Sequence, residues 1–265
     1  MVVTESPAHI QEAINGQLYR RPDRVGVYVQ TRLFPPEATS IVRYRDDIQG
    51  RRVLDLGCGA GRLAAYLRPL VGDYVGLDVS EHMVEHCRQG FEDFQFVQGD
   101  MRSLTAFENG SFDTVFAVSN LFDAVSHEDR LRVLAEVRRV LTPQGLLIFS
   151  SHNRDYFQAG AGPRLEFHRN PITQLRVLVD YLTACANHRR IKAHHRFEPN
   201  YALLNDSGNN YRSLHYYISS RVQAEQLTDA GYELIDCLDE LGRTIDPAKK
   251  NSTDQSLMYV TRCSN

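Results

Sequence analysis

The sequence predicts a doubly wound α/β fold on one sheet of about seven strands, and three observations predict it. Short apolar runs alternate with helix-length segments from residue 53 to 150; the first run ends in a glycine-rich turn; and the rhythm breaks after Ser151, to resume near residue 221. Strands joined by helix-length crossovers pair in parallel, and a parallel strand buried on both faces reads as a continuous apolar run.

Two helical stretches, 8–20 and 36–48, precede the sheet, the second opened by Pro35-Pro36 in its first turn. Val53–Leu56 is the first strand. A helix at 61–70 leads to a strand at 74–77, and a helix at 80–90 to a strand at 94–97. A strand at 114–118, a helix at 127–141 and a strand at 145–150 follow. Within the interruption, 164–171 is loop-like and 173–187 has helical spacing in Leu175, Leu178, Val179 and Leu182. Residues 194–218 form two extended segments around Asn205-Asp206-Ser207-Gly208, whose turn chemistry favours a hairpin. A helix at 221–230, ended by Gly231, and strands at 232–238 and 257–262 close the chain.

Composition bounds the function. The 265 residues are 42% hydrophobic and 24% charged, with a formal net charge of −3, which argues against a general nucleic-acid binder. No apolar run reaches membrane-spanning length and the first residues lack a signal-peptide core, so the expectation is a cytoplasmic protein with no membrane partner. Cys58, Cys87, Cys185, Cys237 and Cys263 are scattered without ligand spacing, so reduced thiols and no metal are expected.

The strongest motif is Val53-Leu54-Asp55-Leu56-Gly57-Cys58-Gly59-Ala60-Gly61-Arg62. Glycines let the backbone turn tightly and let a ligand approach without a Cβ in the way. Asp55 stands where a carboxylate can meet a cationic amino group. Arg62 occupies the place where a dinucleotide fingerprint wants its third glycine, which disfavours a dehydrogenase. Asp78, at the end of the second strand, can accept from both ribose hydroxyls of an adenosine. In Gly99-Asp100-Met101, Asp100 can accept from an adenine amino group while Met101 lines the ring.

Residues 53–151 resemble the class I S-adenosylmethionine-dependent methyltransferases. The glycine motif, Asp78, Gly99-Asp100-Met101, Phe112-Asp113-Thr114-Val115 and Leu141-Thr142-Pro143-Gln144-Gly145 stand in that family's order and spacing. The resemblance implies a Rossmann-like, seven-stranded, mostly parallel sheet whose last strand is antiparallel. It implies S-adenosylmethionine as cofactor, with S-adenosylhomocysteine as product. Asp55, Gly57, Gly59 and Gly61 would surround the methionine part, Asp78 and Val79 the ribose, and Asp100 and Met101 the adenine. Val118, Ser119 and Asn120 would line the floor under the sulfonium, and Tyr28 would close over the cofactor. On this reading residues 1–50 cap the cofactor site, 51–151 and 221–265 form the binding core, and 152–220 form an inserted α+β substrate cap.

Reactive groups in doubly wound folds gather beyond the C-terminal ends of the strands. His152, delivered there by strand five, is the best candidate general base. His215, Tyr216 and Tyr217 lie in an extended segment where alternate residues share a face, so His215 and Tyr217 point one way and Tyr216 the other. His215 is a second catalytic candidate; Phe122, Tyr216 and Tyr217 are expected to bind substrate. From Arg154 to Phe197, eight Arg/Lys face three acids, and a basic lid suggests an anionic acceptor. The expectation is therefore methyl transfer to O or N of a small, anionic or sugar-type metabolite by a monomer or homodimer. Rivals are an RNA- or protein-directed methyltransferase and a non-catalytic cofactor sensor.

Overall fold

The computed structural model describes residues 7–19 and 32–264. Helices α1 (Pro7–Tyr19), α2 (Pro35–Arg43) and α3 (Arg45–Ile48) come first. Then β1 (Arg52–Leu56), α4 (Arg62–Leu67), β2 (Asp73–Asp78), α5 (Glu81–Gly90), β3 (Gln95–Gln98), β4 (Phe112–Ala117), α6 (His127–Val140) and β5 (Leu141–Asn153) alternate. The interruption holds α7 (Pro171–Lys192), β6 (Arg196–Phe197), β7 (Tyr201–Leu204) and β8 (His215–Ile218). Helix α8 (Ser220–Asp229), β9 (Tyr232–Leu238) and β10 (Ser256–Cys263) end the chain.

Seven strands run in the order β3-β2-β1-β4-β5-β10-β9, with β10 antiparallel to both neighbours. Helices cover both faces. Ile41, Leu63, Leu67, Val84 and Cys87 pack one face around Val53 and Tyr74; Val133, Leu134, Val137, Val140 and Leu227 pack the other around Leu54, Val115 and Phe149. This is the expected doubly wound core.

The inserted segment departs from expectation in one respect: its strands join the same sheet. The β4–β5 pairing ends at Ala117↔Phe149, but β5 continues to Asn153, leaving its last residues with an open edge. Strand β8 takes that edge in parallel, His152↔Tyr217 and Asn153↔Ile218, and β7 and β6 follow antiparallel. An exposed strand edge is a row of unsatisfied backbone groups, so pairing it fixes the insertion rigidly to the core. The strands β7 and β8 do pair antiparallel, but residues 205–214, with a 3-10 turn at Gly208–Tyr211, connect them in place of a tight hairpin turn.

Candidate active site

A cavity of about 750 Å³ lies beyond the C-terminal ends of β1, β2, β4 and β5. The β1–α4 turn forms its floor. Gly57, Gly59 and Gly61 all have left-handed backbones, with φ of 62°, 54° and 80°, a conformation costly for residues with a Cβ. Their surroundings differ. A Cβ at Gly57 would stand 2.5 Å from Leu121 and one at Gly61 2.6 Å from Phe91, whereas one at Gly59 would meet nothing closer than 4.0 Å. Gly59 also lines the cavity, so its missing side chain leaves room for a ligand.

Asp78 accepts from the Gly59 and Ser80 amides, both at 2.9 Å. Burial pushes its carboxyl up, and those amides counteract the push. Asp55 is 1% exposed. Its Oδ2 accepts from the Tyr74 hydroxyl at 2.6 Å. Its Oδ1 has no hydrogen-bond partner among the described residues. Burial pushes the Asp55 carboxyl up to about 7, although the Tyr74 hydrogen bond and the Arg62 charge oppose this. A buried carboxylate oxygen left open toward a cavity is a place for a cationic group.

Two arginines that sequence reasoning gave no structural part hold this half together. Arg62 pairs with buried Glu37 of α2, donating to Oε1 at 2.7 Å, and reaches the Ser119 hydroxyl at 3.1 Å. Arg102 donates to Asp100 at 2.6 Å and also to Glu12 of α1 and Asp129 of α6, at 2.9 and 3.1 Å. The expected adenine acceptor is thus already engaged by the residue two places on. Helix α1 closes over the cavity: Asn15 donates to the Ala124 and Leu214 carbonyls at 2.7 Å, and Gln11 donates to the Asp123 and Leu214 carbonyls.

The opposite wall is a polar network gathered from distant segments. After β4, Ser119 and Asn120 both have φ of 57°, a strained backbone for residues other than glycine. The Asn120 amide is anchored by Ser150 Oγ at 2.7 Å, and its side-chain Nδ2 donates to Ser256 Oγ at 2.8 Å. A 3-10 turn at Leu121–Ala124 follows and buries Asp123 completely. Asp123 Oδ2 accepts from the His152 amide at 2.6 Å and faces His152 Nδ1 at 2.7 Å. Asp123 Oδ1 accepts from fully buried Arg130 at 2.6 Å and from Ser151 Oγ at 2.7 Å. His152 thus has a carboxylate at Nδ1, while its Nε2 has Asn120 Nδ2 at 3.2 Å and Asp206 Oδ2 at 3.6 Å, and the ring lines the cavity.

Beside His152, the His215 ring stacks at 4.9 Å between centroids. Asp206 Oδ2 lies 2.9 Å from His215 Nδ1 and accepts from the Tyr217 hydroxyl at 2.6 Å. Burial would raise the Asp206 carboxyl, but the His215 and His152 imidazoles and the Tyr217 hydroxyl hold it well below the usual range. Burial would lower His215, yet the Asp206 charge and hydrogen bond raise it. Tyr217 is pushed far up by burial and by Asp206. Donor atoms of His152, Asp206 and His215 come within 4.8 Å of one another, the spacing of a metal-ligand set. The same side chains also hydrogen-bond within the protein, His152 to Asn120 and Asp206 to His215 and Tyr217.

Residues 53–145 match the family model described as a methyltransferase domain. The chain carries a class I S-adenosylmethionine-dependent methyltransferase domain. The chain is 37% identical over 118 residues to a fatty-acid O-methyltransferase of Mycolicibacterium smegmatis, covering 42% of this chain and 40% of that protein. It is 29% identical over 123 residues to a ubiquinone biosynthesis O-methyltransferase of Methylococcus capsulatus, covering 45% and 51%. The chain thus spans about half or less of the curated relatives it matches. Its fold is that of a Burkholderia thailandensis 1,6-didemethyltoxoflavin-N1-methyltransferase, solved with that molecule and S-adenosylhomocysteine. That likeness covers 100% of this chain and 94% of the other, at a TM-score of 0.61 and 14% identity.

S-adenosylmethionine, the cofactor that the class I resemblance implies, suits the residues present. The unpartnered Asp55 Oδ1 suits its amino group, Asp78 suits its ribose, and the open space above Gly59 admits its backbone-hugging part. Val79, Met101, Val118, Ser119 and Asn120 line the same cavity, as do His152 and His215. Gly61 is absent from the lining; it serves the turn against Phe91. Tyr28 lies outside the described residues.

Three expected substrate-binding residues do not reach the cavity. Phe122 is fully buried in the core against Phe149. Tyr216 points away from it, stacking on Tyr201 and lying under the Arg130 guanidinium. Tyr217 sits behind the histidines, holding Asp206. The basic lid fails too: Arg164, Arg169, Arg176, Arg189, Arg190, Lys192 and Arg196 are exposed, and none lines the cavity. Long cationic side chains keep their heads in water unless a buried partner draws them in.

Asp123, Arg130 and Asp206 were missed. Arg130 carried a signal: it occupies the core-facing stripe it shares with Val133, Leu134 and Val137, where a charge requires a buried partner. Asp206 sits in a tetrapeptide that reads as a turn, and only the pairing of β7 with β8 buries it.

Proposed function

We propose that this chain transfers a methyl group from S-adenosylmethionine to an O–H or N–H group of a small, uncharged molecule. One observation carries the reading: a single cavity joins Asp55, Gly59 and Asp78 to His152 and His215. Residues 152–220 then form the acceptor wall and helix α1 the cover, while 51–151 and 221–264 hold the cofactor. S-adenosylmethionine supplies a methyl group on a sulfonium, open to in-line displacement.

The chain's own residues do the rest. The turn at Ser119-Asn120 shapes the wall opposite the glycine turn, and α1 excludes water from above. Asp123 fixes the His152 tautomer so that Nε2 can take the acceptor proton. The Asp206–His215–Tyr217 group presents polar atoms beside it, a wall suited to orienting a hydroxyl or amine. The lining contributes Glu12, Asp55, Asp78, Asp100 and Asp129 against Arg62 and Arg102, both arginines already paired. That balance favours a cationic cofactor and a neutral acceptor over an anion.

Calorimetric titration with S-adenosylmethionine, then labelled-methyl transfer to a panel of neutral and anionic hydroxyl and amine compounds, tests the proposal. Micromolar binding lost in Asp78→Ala is expected, as is transfer reduced ~10²–10⁴-fold in His152→Gln with cofactor affinity unchanged. Folded protein that binds no S-adenosylmethionine, or an anionic compound methylated best, would overturn it.

A further inference from the structure

Helix α7 leaves an apolar face in water. Ile172, Leu175, Leu178, Val179 and Leu182 are 68%, 64%, 37%, 55% and 58% exposed. At about 100° per residue these five fall on one stripe, about 120° wide and about 15 Å long. The antipodal face carries buried Ala184 and Ile191 and packs on the protein. Around the stripe the charge is one-sided. Between residues 164 and 198, seven exposed Arg and Lys side chains stand against three exposed acids, in a chain whose net charge is −3. Arg189 and Arg190, in the last turn of α7, fall one near each margin of the apolar face. Asp180, the one acid of the helix, lies about 140° from the middle of the stripe, on its far side.

We infer that α7 docks the protein on an anionic lipid surface, lying in the interface with its apolar stripe inward and its basic margins among the headgroups. A contiguous apolar strip marks an interaction surface, and here the charges select the occupant. Cations flanking an apolar helix face complement anionic headgroups over a hydrocarbon layer. A second copy would bring a net positive patch against itself, and a nucleic acid would leave the apolar side chains in water. The shape agrees. Thr173 lies on the same line of the helix as buried Ile191, yet it is exposed, so the first turns of α7 overhang the body as a ridge. A ridge sinks into a fluid lipid surface, whereas a protein partner has to supply a matching groove. The rings of Phe167, just before α7, and Phe197, just after it, are also exposed. No helix among the described residues is long and apolar enough to cross a membrane. A helix lying in the interface needs amphipathicity instead, which is why the length of apolar runs predicted no membrane partner.

Docking through α7 also bears on the cavity. From the inner face of α7, Asn187 donates to the Asn210 carbonyl at 2.9 Å, and His188 Nδ1 lies 2.9 Å from Asn205 Oδ1. Gly208 and Asn209 of that loop line the cavity. One cavity wall is therefore held roughly a helix diameter (10–12 Å) from the docked face.

Co-flotation of the full chain with phosphatidylcholine vesicles containing about one-third phosphatidylglycerol, in about 0.1 M salt, tests the inference. The expected result is binding to these vesicles, none to pure phosphatidylcholine, and binding at least about tenfold weaker in about 0.5 M salt. Leu175→Glu with Leu182→Glu should lower the partition coefficient at least about tenfold. Circular dichroism should not change, since both positions are in water. Arg189→Gln with Arg190→Gln should lower it about twenty-five-fold, near fivefold for each charge. Folded protein that stays off both kinds of vesicle overturns the inference, as does binding that ignores the α7 substitutions. So does an α7-dependent doubling of the 30.2 kDa mass without lipid, or binding to poly(U) RNA that survives Leu175→Glu with Leu182→Glu. Cofactor and acceptor are absent throughout, so failure here leaves the proposed methyl transfer standing.

Discussion

The two halves of the cavity are built in different ways. The half proposed to hold the cofactor comes from short contiguous stretches, 55–62, 78–80 and 99–102, and is shaped largely by backbone amides and missing side chains. The half proposed to face the acceptor joins Asn15, Asp123, Arg130, His152, Asp206 and His215, and depends on side chains hydrogen-bonded to one another. A half built from backbone tolerates change in its neighbours. A buried side-chain network does not, because every member satisfies another.

One substitution made in both halves gives the largest expected contrast. Asp123→Asn leaves the Arg130 charge fully buried without its carboxylate, so urea unfolding should show a loss of about 3–5 kcal/mol, with cofactor affinity changed less than about twofold. Asp78→Asn should do the reverse, costing about 1–2 kcal/mol of stability because one of its two backbone-amide hydrogen bonds is lost, while cofactor affinity falls at least about tenfold. Equal stability losses would mean the two halves are not built differently.

A smaller effect comes from Asp55. With its carboxyl near 7, a proton must leave before a cationic amino group can be held. Affinity for S-adenosylmethionine should rise as pH increases through 7, about tenfold between pH 6 and 8. Proton release, measured calorimetrically in buffers of different ionisation enthalpy, should accompany it. Asp55→Asn should flatten the profile; a wild-type profile that is already flat would remove Asp55 from the amino-group site.

The smallest effect is on stability. Asp206, lowered in the folded state, contributes stability that is present above its unfolded value of about 3.9 and is lost as pH falls through its folded value. His215, raised, contributes fully below about 6.5 and loses that contribution as pH rises through its folded value. The pair should therefore stabilise most between about pH 4 and 6.5. Chemical unfolding of wild type against Asp206→Asn across pH 3–9 should show the gap widest there. A gap independent of pH would leave the pair a purely packing role.

How legible each part was follows from the range of its interactions. The order and type of the seven core strands could be read because parallel strands are buried on both faces and announce themselves as apolar runs. Asp55, Gly57, Gly59, Asp78 and Asp100 could be placed together at one cavity because a strand–turn–helix unit brings near neighbours to the same rim, whereas Gly61 turns out to serve the turn alone. Tyr216 and Phe122 misled because aromatic residues near a predicted site are as easily core as lining, and alternation alone does not say which face is inside. Arg102 was close at hand, but its three carboxylate partners come from three separate elements.

By itself, the sequence determined the doubly wound sheet, the cofactor turn and the delivery of His152 to the active rim, since each rests on periodicity or on contacts a few residues apart. Tertiary structure alone decided that β8 extends the sheet from the free edge of β5, that Asp123 and Asp206 converge on two histidines, and that the basic residues of the insertion face outward. Those outcomes depend on which distant segments can satisfy one another's buried polar groups, a matter of three-dimensional pairing that no local pattern encodes.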